Sequence, residues 1–194
     1  MTHGRRTVVA AVFLFMTIAG LGQQSHRPKA TTPPAEGAPT GENSAELETF
    51  SRAVAIQARP DQVGYFQSAI QSTDAALQQS RDLANLGPAG NTTPNLNAKS
   101  LQLRDALDDI EHYSRIFEAS FSKTQQTELK KLTGNMHKSY SVVSKEAGIV
   151  SQQIEPGKVV LEQVKGSAAN LERALSNFRS DQIRLAREMG IQSN

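Results

Sequence analysis

Three residues at helical spacing offer the first chemistry in this chain. Asp105, Asp109 and His112 follow an i, i+4, i+7 pattern within RDALDDIEHYSR (Arg104 to Arg115), with Asp108 alongside. Carboxylates and an imidazole on one outward helix face can hold a divalent ion. The same residues are what the solvated side of any amphipathic helix requires, so a site built from them is open to water and weak. The second candidate is Met136–His137, inside NMHKSYSVVSKEAGIV (Asn135 to Val150). Methionine and histidine are haem axial ligands, and a haem held inside a helical bundle needs both aimed inward. At about 100° per residue, Met136 falls at the centre of its apolar face and His137 on its edge. His112 points outward, about 160° from Ile110. The sequence therefore predicts Met136 as flexible core filler and no cofactor, with a haem- or metal-binding helical bundle as the rival reading.

Other chemistry has little foothold. The chain has no cysteine, which removes disulfides, thiolate metal sites and covalent haem attachment. No G-x-S-x-G elbow, HExxH pair or phosphate-binding loop is present, and the expectation is a protein that is not an enzyme. The formal charge of +2 comes from Arg5 and Arg6. Removing them from 21 basic residues leaves 19, against 19 acidic ones. Arg173, Arg184 and Arg187 are interspersed with Glu172, Asp181 and Glu188, without aromatic residues for base stacking. Nucleic acid is not an expected partner.

The elements that would position these residues begin after an export signal. Arg5 and Arg6 precede an apolar run, Thr7 to Gly20, and the small residues up to Gly22 suit cleavage there. Thr7 to Gly22 is 16 residues, short of the roughly 20 a membrane span needs. Residues 1–22 are thus read as a signal peptide, with no stable membrane insertion after cleavage. If the signal is not cut, the chain becomes a membrane-anchored coiled coil. Residues 23–43 hold four of the eight prolines and no large apolar residue, and are read as a disordered spacer.

Residues 44–191 form the expected helical domain. Leu47, Phe50 and Val54 mark a short first helix from Ser44 to Ala58. Pro60, which disfavours helix at Arg59, starts a second that reaches Leu86, with Val63, Phe66, Ile70 and Leu77 facing the core. After a Gly/Pro loop, a third helix from Leu96 to Ala119 buries Leu103, Leu107, Ile110 and Phe117. Ser122 and Gln125 form a capping-box pattern that opens a fourth helix reaching Ile154. Its core face includes Leu132, Met136, Val143 and Val150. From Leu129 to Ile154 the apolar positions advance by about 3.6 residues per step, nearer a straight helix than a strict coiled coil. Beyond EPGK (Glu155 to Lys158), a fifth helix from Val159 to Met189 buries Val164, Leu171, Leu175 and Phe178. The third helix is net acidic, and the fourth and fifth are net basic, so the third is placed beside one of them.

The expected fold is all-α: an up-down four-helix bundle of long antiparallel helices with a short N-terminal helix. The expected function is that of a periplasmic or secreted interaction or scaffold protein of the cell envelope. Its expected partner is a protein, either a second copy of itself or another envelope component.

Overall fold

A computed structural model of the chain describes residues 41–87, 93–154 and 159–192. The predicted signal, most of the predicted spacer, the centre of the Gly/Pro loop and EPGK lie outside the described residues. Six helices and no strand occur among the described residues: α1 (Gly41–Ile56), α2 (Pro60–Ala84), α3 (Thr93–Ala119), α4 (Lys123–Glu128), α5 (Lys130–Gln153) and α6 (Leu161–Glu188). No helix among them is long and apolar enough to cross a membrane.

Helix boundaries follow local chemistry. Arg59 is extended (φ −81°, ψ 160°) before Pro60, which occupies the first turn of α2, where its missing N–H costs nothing. Asp61 complements the positive end of α2. The Arg59 guanidinium, hydrogen-bonded beside it, holds the Asp61 carboxyl below its usual range. α6 ends in a Schellman arrangement. Gly190 takes the left-handed φ of +70°, its N–H donates to Arg187 O (3.0 Å), and the Ile191 N–H donates to Ala186 O (2.9 Å). The predicted fourth helix divides at Leu129 (φ −93°, ψ 1°), which ends α4 and begins α5. The Thr133 hydroxyl lies 3.3 Å from Leu129 O and 3.1 Å from Lys130 O, and such back-bonding bends helices.

The apolar stripes meet in one core. Phe66, Leu77, Leu103, Ile110, Phe117, Met136, Val143, Val150, Val164, Leu171, Leu175 and Phe178 are all buried in it. Ile70, Leu107 and Leu132 are half-buried against its edge. Phe117 joins two helices and a turn, its ring centroid 5.8 Å from Phe66 and 4.9 Å from Phe121. The stripe on α1 behaves differently. Leu47, Phe50 and Val54 remain 68%, 70% and 56% exposed, so α1 does not close the core with them. Its packing is against α4, with an Arg52–Glu128 ion pair.

The long helices pack in the series α3, α2, α6, α5. Cross-helix partners give their directions. Thr73 and Arg81 of α2 meet Gln182 and Glu172 of α6. Phe66 and Asp82 of α2 meet Phe117 and Lys99 of α3. Partner numbers fall as α2 numbers rise, so α2 runs opposite to both neighbours. The expectation that α3 sits beside a basic helix is met on its second side: its principal packing is on α2, but it also faces basic α5, where His137 meets Glu118, while Asp74–Arg179 and Arg81–Glu172 join α2 to α6.

One end of the molecule is tied by two buried glutamines. Gln62 and Gln125 each stand at the third helical position and accept from the backbone N–H of the preceding cap, Arg59 and Ser122 respectively (2.9 Å each). Their amides pair reciprocally at 3.0 and 3.2 Å. Gln62 Nε2 also reaches Ser120 O, and Gln125 Nε2 reaches Ile56 O and Gln57 O. Buried amides are tolerated when saturated in this way. The Ala58 N–H donates to Met189 O (2.8 Å), adding the end of α6 to the same knot.

Candidate binding groove between α3 and α5

α3 and α5 stand at the two ends of the packing series, and their backbones approach little. Between them lies a groove of about 660 Å³, within the range typical of ligand sites. Its α3 wall is Glu111, Ser114, Arg115, Glu118 and Ala119. Its α5 wall is Met136, His137 and Tyr140, and Phe178 of α6 also lines it. Both walls follow from helical geometry. Glu111, Ser114, Arg115 and Glu118 form an i, i+3, i+4, i+7 stripe beside the buried Ile110–Phe117 line. Met136, His137 and Tyr140, at i, i+1 and i+4, face it from α5.

The floor is apolar and aromatic. Met136 and Phe178 are buried, and the Tyr140 and Phe178 ring centroids are 5.2 Å apart at 49°. The Tyr140 hydroxyl donates to Leu107 O (3.3 Å), spanning from α5 to α3. Burial, with the nearby Glu111 and Asp108 charges, raises the Tyr140 pKa; Ser144 and Arg115 oppose the rise.

The rim carries charge. Arg115 pairs with Glu111 on its own helix. His137 Nε2 lies 2.9 and 2.8 Å from the two Glu118 oxygens. The Glu118 side chain is 23% exposed and that of His137 64%. Burial pushes the Glu118 carboxyl above its ordinary value, and His137 opposes the rise only in part. Ser114 Oγ is buried without a hydrogen-bond partner.

The residues expected to carry chemistry are distributed differently. Asp105, Asp109 and His112 are exposed on α3. Asp105 and His112 are separated by about 10.5 Å of helix rise. Among the described residues no group of three or more such side chains could hold a metal ion. The His112 ring instead makes an edge contact with Tyr113 (5.2 Å). Met136 is in the core as its stripe position requires. His137, expected on the edge of that face, lies at the seam with α3 and has Glu118 as its partner. Sequence reasoning missed Glu118, although its stripe with Glu111, Ser114 and Arg115 was available as a signal. No protein-family model, no curated protein and no solved structure matches the chain.

Proposed function

We propose that this chain is an exported, non-catalytic helical interaction module of the cell envelope, which binds another protein in the α3/α5 groove. The carrying observation is the groove itself: an apolar, aromatic floor under a rim of few polar groups, the composition typical of binding sites. The basic N-terminus and apolar run of residues 1–22 support export. The proline-rich segment that follows suits a tether. Residues 60–188 are read as an up-down four-helix bundle, with α4 and α5 as one bent helix. The falling partner numbers between α2 and each neighbour support that reading.

The test is a paired capture from the native envelope, using the wild-type chain and Ala119→Arg. Ala119 is exposed at the groove wall, so the bulky cation obstructs the groove without entering the core. A partner held by the wild type and lost with the variant is the expected result. Equal capture by both removes the groove from the function. N-terminal sequencing of the exported protein should begin near Gln23; an intact N-terminus contradicts the cleaved-signal reading.

A further inference from the structure

The groove has a chemical polarity that selects among occupants. Glu111 is neutralised by Arg115 on its own helix. Glu118 has only His137, whose single Nε2 position faces both carboxylate oxygens. An ionised carboxylate has about four acceptor positions, so one imidazole nitrogen leaves most of its accepting capacity open. Directly below are Met136, Tyr140 and Phe178, and aromatic faces attract cations as well as apolar groups. The combination is a half-buried anion above an aromatic floor.

We propose that the groove receives a basic side chain flanked by apolar residues, presented by a short segment of the partner protein. Its lysine or arginine head lies against Glu118, and an apolar neighbour lies against the half-buried Tyr140 ring, above buried Met136 and Phe178. This rests on the reading of the groove as the binding surface and specifies what enters it. An acidic segment would meet Glu118 with like charge. A second copy inserting its exposed α1 stripe would bring Glu46 and Glu48 with it, and Arg52 of that stripe is already paired with Glu128, so α1 is a poor occupant.

The experiment is an NMR titration of the folded chain with three capped peptides: leucine–lysine–leucine, leucine–glutamine–leucine and leucine–glutamate–leucine, each flanked by glycine and serine. The lysine peptide should shift the Met136 methyl and Tyr140 ring resonances and bind about fivefold more tightly than the glutamine peptide. The glutamate peptide should bind least. Glu118→Gln, which keeps the side-chain shape, should bring the lysine peptide to the glutamine level, with circular dichroism confirming that the variant is folded. Equal binding of all three peptides, preference for glutamate, or full lysine preference in Glu118→Gln overturns the charge selection while leaving the groove in use. Absence of groove shifts with every peptide overturns the proposal as a whole. The Ala119→Arg capture then separately decides whether the groove binds protein.

Discussion

The seam between α2 and α6 and the seam between α3 and α5 are built from opposite kinds of residue. On α2, Ala69, Thr73, Ala76 and Ser80 succeed one another at helical spacing, and all four are buried. Small side chains let backbones come close, and their polar atoms are matched. The Thr73 hydroxyl lies 2.9 Å from Ala69 O and 3.1 Å from Gln182 Oε1. The Ser80 hydroxyl donates to Ala76 O. Arg179 Nε donates to Asp74 at 2.5 Å, which raises the Arg179 pKa, and Arg81 Nε donates to Glu172 at 2.7 Å. The α3/α5 seam has Tyr140, Met136, His137, Glu118 and Arg115 instead, with the Ser114 hydroxyl unmatched. Large, half-polar side chains hold those helices apart. A bundle can thus close one seam and keep another open by side-chain size alone, with the same helical backbone on both.

Phe178 tests the comparison most severely, because α6 packs on both α2 and α5 and the ring also lines the groove. Phe178→Ala should cost about 3–5 kcal/mol in denaturant unfolding; a loss under about 1 kcal/mol would mean the ring is not a shared support. Next comes a matched pair. Ala76→Leu overfills the closed seam and should destabilise by about 1–3 kcal/mol, whereas Ala119→Leu in the open one should stay within about 0.5 kcal/mol. Equal costs, read from urea midpoints, would erase the distinction. Thr73→Val leaves the buried Gln182 oxygen without its cross-helix partner and should cost about 1–3 kcal/mol. A neutral outcome would show that the contact adds nothing to closure.

The smallest effect is the pH dependence at Glu118. Its carboxyl titrates above the ordinary 4.5 in the folded chain. Its contribution to stability is therefore full below about pH 4.5 and is lost as pH rises through the elevated folded value. Glu118→Gln removes that loss, so the variant should gain on the wild type as pH rises through this window, by less than about 1 kcal/mol. Thermal melts at successive pH values measure the difference; a variant that falls behind with rising pH has the sign reversed.

Periodicity made most of the fold legible. The stripes from Phe66 to Phe178 needed only the helical repeat, and Pro60 and Ser122 signalled their helix starts. It failed where a property depends on what stands opposite. Leu47, Phe50 and Val54 have the spacing of a buried face, but α1 packs on α4 without covering them. The break at Leu129 comes where the apolar stripe begins, because SKTQQTE (Ser122 to Glu128) holds no apolar residue, so periodicity carries no register across it. Gln125 was legible as a cap, but its pairing with Gln62 was not, because the two are 63 residues apart. The groove lay half hidden for the same reason. Asp105, Asp109 and His112 attract attention as residue types, yet the structure leaves them on an exposed face. Glu118 looks like one more surface charge until α5 brings His137 against it.

Site-specific photocrosslinking in the native envelope tests the central claim most directly. A benzophenone amino acid is placed at Ala119 on the groove wall, and separately at Leu101, an apolar residue 59% exposed on the same helix but outside the groove lining. The account predicts a discrete protein adduct from position 119 and none from position 101. An adduct from position 101 with none from 119 would contradict it.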